Sequence, residues 1–157
     1  MDQNIRQFYD ALFDIIGLLN QPQRDNALLQ EAGVSLDRAL FPLLVLIARR
    51  DAIGIMELAG LVGRDHSTVS RQVATLEHLK LVTRHAGTSD GRERKVLATQ
   101  EGLAIASALD MAREKMIRPI LAQWEEQDWK LFVSLLRRFA DDALALPIHK
   151  KDGRGLL

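Results

Sequence analysis

The chain has 157 residues, 47% hydrophobic and 27% charged, enough to bury a core as one domain without covalent staples. It contains no cysteine, which excludes disulfides, thiolate metal sites and thiol redox chemistry and suits a reducing cytoplasm. Twenty-one basic and twenty-one acidic residues give zero formal net charge, unlike the clearly basic balance common in nucleic-acid-binding domains.

The opening "MDQNIRQFYD" lacks the basic start and apolar run of a signal peptide, and no window approaches a membrane span. Ile5, Phe8, Tyr9, Leu12, Ile15, Ile16 and Leu19 recur at helical spacing, predicting an amphipathic helix over about 3–19. "NQPQRDN" reads as its break. Ser35 is placed to cap a helix from Leu36 to about Arg50, with Pro42 as a kink in its second turn. "IMELAGLV" follows as a short helix ended by Gly63, and Asp65 offers the N-cap of another running to about Leu79. "LVTRHA" and "RKVLA" are strand-like runs around Gly87–Gly91 and predict a hairpin. Thr99 caps a long helical pattern through Leu109, Met116 and Ile120, disturbed at Pro119. A last helix over about Asp128–Leu146 carries Leu131, Phe132, Leu135, Leu136 and Phe139 on its apolar side, before an aperiodic tail. The order is mainly α, with one small hairpin.

Two readings compete at the hairpin. Gly87, Ser89 and Gly91 match G-x-S-x-G, the turn that presents a serine nucleophile. That turn needs a buried parallel strand before it and a helix directly after it, whereas here Arg92, Glu93, Arg94, Lys95 and Val96 follow. The alternative is a basic finger, with Asp90 bracing Arg92 by a two-pronged salt bridge. Arg64 to Lys95 holds seven Lys/Arg against four Asp/Glu, so the chain's middle is its basic part. A solvated charged turn would look the same by itself.

The helix before it shifts the balance. Val69, Val73 and Leu76 fall on one face of "DHSTVSRQVATLEHLKLV". Ser67, Arg71 and His78 fall opposite, with Thr68 and Thr75 at the edge, where a solvated helix would more often carry Glu/Lys pairs. Small hydroxyl residues with one arginine suit close approach to base edges, and the helix N-terminus would favour a phosphate. A helix, a turn at Gly63 and this second helix are arranged as a helix-turn-helix, which a following hairpin makes winged.

These segments, "ELAGLVGRDHSTVSRQVATLEHLKLVTR" and "SDGRERKVLATQEG", resemble the winged-helix transcription regulators of the MarR (multiple antibiotic resistance regulator) family. The shared pattern is carried by Thr68-Val69-Ser70-Arg71, Leu76-Glu77, Leu81-Val82, Arg84, Asp90, Arg92 and Thr99 to Gly102. Lys80 departs from it, standing where the family usually has glycine; it must take a left-handed conformation or reshape the helix end. Ala98 departs from it too, replacing a leucine.

The resemblance implies a single domain over 1–157 with a winged helix-turn-helix lobe (α-α-α-β-β) at 36–98. Residues 1–35 and 99–146 would form a helical dimerisation hub, leaving 147–157 as a loose tail. Ser67, Thr68, Ser70, Arg71 and Thr75 would meet the major groove and Arg92, set by Asp90, the minor groove. Arg84, Arg94 and Lys95 would hold phosphates. Ile5, Phe8, Leu12, Ile16, Leu135 and Phe139 would build the dimer interface. The expected protein is a cytoplasmic, non-enzymatic regulator, a repressor more often than an activator, binding an operator in double-stranded DNA as a homodimer. A small aromatic or phenolic effector would release it; no cofactor, metal or membrane is implied. The competing reading from another class is a winged-helix protein-interaction module.

Overall fold

The first helix breaks at Asn20–Gln21, within the expected segment, and Pro22 also opens a second helix that the sequence reading did not include. In this computed structural model, which describes residues 2–86 and 94–147, α1 spans Gln3–Leu19 and α2 follows at once over Pro22–Ala32. Proline suits a first helical turn because its ring presets φ and its missing N–H has no partner to lose there. Gln21 before it is extended, as a residue preceding proline should be. Gly33, at φ 65°, closes α2 in left-handed conformation, with Val34 N donating to Leu29 O at 2.9 Å.

The next helix starts later than its periodicity predicts. Asp37 Oδ1 accepts from Ala39 N at 2.6 Å, and Asp37 O accepts from the N–H groups of Leu40 and Phe41. That local turn occupies 37–40, so α3 is Phe41–Ala48 and Ser35 does not cap it. Pro42 consequently sits in the first turn, where it displaces no hydrogen bond and produces no interior kink.

A two-residue strand, β1 (Ile53–Gly54), leads into α4 (Ile55–Val62). Gly63 at φ 62° turns the chain, and α5 runs His66–His78. Strands β2 (Val82–Ala86) and β3 (Arg94–Ala98) pair antiparallel, Arg84 opposite Val96, and β1 adds to the far side of β3 with Ile53 opposite Val96. The sheet order is β1-β3-β2, one strand more than the sequence reading gave. The residue at the end of α5 is Lys80, and it takes the left-handed conformation at φ 61°. Leu81 N donates to Leu76 O and Lys80 N to Glu77 O, so the glycine-type ending survives with a lysine in it.

Helix α6 (Gln100–Leu121) is seated on that ending. Thr99 Oγ1 donates to Lys80 O at 2.7 Å and accepts from Gly102 N at 3.1 Å, while Thr99 N donates to Leu81 O at 3.0 Å. Gly102 allows this approach, because a Cβ there would meet the Leu81 carbonyl oxygen. Pro119 lies inside α6 near its end without terminating it.

Two apolar clusters follow from these placements. Leu43, Leu44, Ile47, Ile53, Leu58, Val69, Val73, Leu76 and Val96 are fully enclosed between α3, α4, α5 and the sheet. Leu28 and Leu29 of α2, Phe41 and Val45 of α3, and Ala106, Leu109 and Ala112 of α6 make the second. Each enclosed Leu or Val contributes roughly 1.5–3 kcal/mol, which is why α5 is held firmly by only three inward side chains.

The chain divides into two compact units, Met1–Met116 and Ile117–Leu157. Within the second, α7 spans Glu126–Ala145 and has no buried residue. Trp124 packs edge-on against Trp129 at 6.1 Å between ring centroids, and Phe132 lies 5.4 Å from Trp124. Arg137–Asp141 and Arg138–Asp142 are exposed i,i+4 pairs, so these acidic residues balance charge on a solvated face. In the first unit α1 likewise has no buried residue.

Candidate nucleic-acid interface

Helix α5 is built to show one face. Val69, Val73 and Leu76 are enclosed, and the 100° step between residues carries Ser67, Arg71 and Thr75 to the outside, all three exposed. Thr68 and Ser70 are half-buried on its flanks. The five residues expected at a major groove thus lie on the outer half of one helix, three of them fully presented.

At the helix start, Asp65 does more than cap. Its Oδ1 accepts from Thr68 N at 2.8 Å and from Ser67 Oγ at 2.5 Å, and its Oδ2 accepts from Thr68 Oγ1 at 2.6 Å. The Ser67 hydroxyl first, then the Thr68 hydroxyl and N–H, hold the Asp65 carboxyl well below the ordinary carboxylate range. Of the N–H groups that the sequence reading offers to a phosphate at this N-terminus, that of Thr68 is taken by Asp65. Further along, Arg71 Nη2 reaches Thr68 Oγ1 at 3.4 Å, and Thr75 Oγ1 donates to Arg71 O at 3.1 Å.

Arg84 lies on β2. Expected to hold a phosphate, its side chain is only 19% exposed and is turned back onto α5. Nη2 donates to Ser70 O at 3.2 Å, and the buried Nε lies 3.3 Å from Glu77 Oε2, a charge contact without hydrogen-bond alignment. Arg84 braces β2 against α5. Its register explains this: directly opposite the enclosed Val96, it shares the face of the sheet that is turned to the core. Of the remaining hairpin residues, Arg94 is exposed and Lys95 half-buried, on β3. Asp90 and Arg92 lie outside the described residues, as does Ser89 of the G-x-S-x-G match. The strands bordering that match are antiparallel, and the element that follows it is strand β3 where a nucleophile turn needs a helix.

Arg64, not singled out in the sequence, locks the helix-turn-helix. Its Nη1 donates to Ala39 O at 2.9 Å and to Gln72 Oε1 at 3.0 Å, tying the α4–α5 turn both to the lead-in of α3 and to the middle of α5. Its partners stand 25 and 8 positions away, so no local pattern could mark it. Among the described residues, no three His, Cys, Asp or Glu side chains gather as a metal site would need, and no helix is long and apolar enough to cross a membrane.

Similarity to known proteins agrees with this geometry. The family model HVO_A0114 matches residues 36–105, the lobe that holds α3 to β3 and the start of α6. YxaD of Bacillus subtilis (strain 168), an uncharacterized HTH-type transcriptional regulator, is 32% identical over 104 residues, which is 66% of this chain and 73% of YxaD. Staphylococcus aureus MarR in complex with salicylate and kanamycin superposes with a TM-score of 0.72 at 12% identity, over 93% of this chain and 96% of that one. The S. aureus MepR–DNA complex gives 0.62 at 20% identity, over 86% and 97%. The chain belongs to the MarR family of winged helix-turn-helix, DNA-binding transcriptional regulators.

Proposed function

We propose that this regulator binds a pseudo-palindromic operator as a homodimer, with α5 of each protomer in a major groove, and that it is a repressor released by a small ligand. The observation that carries the reading is the outer face of α5. Ser67, Arg71 and Thr75 stand free of the core on a helix fixed from behind by Val69, Val73 and Leu76. Arg71 has the fork that pairs with guanine O6 and N7. Arg94 and Lys95 on the strand leaving the hairpin would supply backbone charge, Arg92 would enter the minor groove with Asp90 orienting it, and Arg84 acts by positioning α5. Residues 36–98 would be the reading lobe, and 1–35 with 99–146 the dimerisation region.

Dimerisation is supported by surface that one copy leaves uncovered. Ile5, Phe8 and Ile16 of α1, and Leu135 and Phe139 of α7, are exposed, with Leu12 half-buried. Such apolar stripes mark association surfaces. A two-fold dimer would read half-sites about one helical turn, ~34 Å, apart. A cleft of about 340 Å³ between the end of α3 and α6, lined by Arg49, Leu103, Ser107, Asp110 and Met111, lies within the range of small-ligand sites. A phenolic effector is in keeping with the salicylate bound by S. aureus MarR. Such a ligand would act by favouring one spacing of the two lobes over another. The protein is read as non-catalytic and as working in the cytoplasm, where its DNA lies.

Footprinting on the DNA flanking its own gene, at two salt concentrations, tests the reading. With six to ten phosphate contacts, affinity should fall by about 10³–10⁵ between ~50 and ~200 mM salt. Arg71→Ala should lose the protected site at unchanged thermal stability. A weak salt response, or a footprint indifferent to Arg71→Ala, would refute it.

A further inference from the structure

The hydroxyls on the outer face of α5 have a common orientation. Ser67 Oγ donates to Asp65 Oδ1, Thr68 Oγ1 donates to Asp65 Oδ2, and Thr75 Oγ1 donates to the Arg71 carbonyl. A hydroxyl has one proton and two acceptor lone pairs, so each of these three has only lone pairs left to offer, one of those on Thr68 facing Arg71 Nη2 at 3.4 Å. Arg71, between them in sequence, has only donors.

We propose that α5 reads its half-site through this fixed polarity: Arg71 donates to guanine, while Ser67, Thr68 and Thr75 accept from the exocyclic amino groups of adenine or cytosine. The inference rests on the DNA-binding reading above and narrows it. In the major groove the only base donors are adenine N6 and cytosine N4; guanine O6 and N7 and thymine O4 are acceptors. Guanine or thymine facing Ser67 or Thr68 would set lone pair against lone pair. Phosphate oxygens are acceptors too, so these hydroxyls do not hold the backbone.

Asp65 fixes the polarity. For either hydroxyl to rotate and donate to DNA, it would have to leave an ionised carboxylate, and a hydrogen bond to a charged acceptor is about twice as strong as a neutral one. That carboxylate would then stand without its partner next to the phosphates. Asp65 is thus a specificity-determining residue that acts through Ser67 and Thr68.

Asp65→Asn is the discriminating change. Asparagine caps helices as well as aspartate. Its oxygen can keep the bonds from Thr68 N–H and Ser67, but its amide nitrogen must donate to Thr68 Oγ1, which turns the Thr68 proton outward. The full-length chain and the variant would each select from a pool of randomised duplexes, and the readout is base preference, because removing a negative charge raises affinity for all sequences alike. The wild type should enrich adenine or cytosine opposite the start of α5. An analogue of that base without its amino group should bind about tenfold more weakly, within the range for one base contact. Asp65→Asn should move the preference at that position to guanine or thymine. Thr68→Val, which keeps the backbone bond to Asp65, should abolish the preference without moving it. A wild type that enriches guanine or thymine there, or an Asp65→Asn protein that keeps the wild-type preference, overturns the inference alone. A wild type that enriches no sequence overturns the DNA-binding reading as well.

Discussion

Gly102→Ala adds one methyl group to a helix, where alanine is ordinarily the better residue by ~1 kcal/mol. Here the added carbon would lie 2.0 Å from the Leu81 carbonyl oxygen, 3.1 Å from its carbon and 3.2 Å from Leu44 Cδ1. Carbon–oxygen contacts in proteins settle near ~3.3 Å or beyond, so α6 or the end of α5 must retreat by more than ~1 Å. The oxygen has little freedom to yield. It accepts from Thr99 N at 3.0 Å, and the neighbouring Lys80 carbonyl accepts from Thr99 Oγ1. Forcing a methyl into a packed site costs about 1–3 kcal/mol, and loss of the Thr99 cap or of the Leu81 hydrogen bond adds ~1 kcal/mol each. After subtracting the gain in helix propensity, the variant should be about 2–4 kcal/mol less stable. The assay is urea unfolding followed by circular dichroism, with Gly60→Ala as the opposing control. Gly60 is also helical, is exposed, and has nothing within 4 Å of an added Cβ, so that change should stabilise by about 0.5–1 kcal/mol. If both variants gain stability, α6 does not sit on the Leu81 carbonyl and the account of Thr99 and Gly102 is wrong.

Three further outcomes are expected. Lys80→Gly relieves a left-handed lysine at φ 61°, and should stabilise by ~0.5–1 kcal/mol once glycine's greater unfolded-state freedom is subtracted; an unchanged melt would mean that the helix end carries no strain. Asp65→Ala should lower stability at neutral pH. Because the folded carboxyl titrates below its ordinary 3.8, the native protein's advantage should be constant above that value and vanish as pH falls through the depressed one; a gap that widens in acid would reverse the sign. Arg84→Met removes the donor to Ser70 O and should cost ~1–2 kcal/mol in urea unfolding. If stability is instead untouched while operator binding weakens and its salt slope falls by about one, Arg84 is a phosphate contact after all.

What the sequence determined was whatever is written within a few residues. The 3.6-residue spacing of Val69, Val73 and Leu76 set the inner face of α5, Asp65 marked its start, and Gly63 the turn before it. The stripe on α1 and the strand-like runs that become β2 and β3 are equally local. The family pattern then joined these pieces into a winged helix. What only the tertiary structure decided depends on groups distant in sequence. β1 is two residues long and is a strand solely because β3 pairs with it. Pro22 reads as a breaker until Leu28 and Leu29 find Phe41, Val45 and Leu109, which make a short helix worth forming. Local competition also hid the start of α3, where the Asp37 turn prevailed over an apolar period that continues through it. Arg84 and Arg64 look alike as basic residues near a DNA surface, and nothing in their neighbours says that both point inward to carbonyls. A hydrogen-bonded cation is assigned by the position of its acceptor, and that position exists only once the chain has folded.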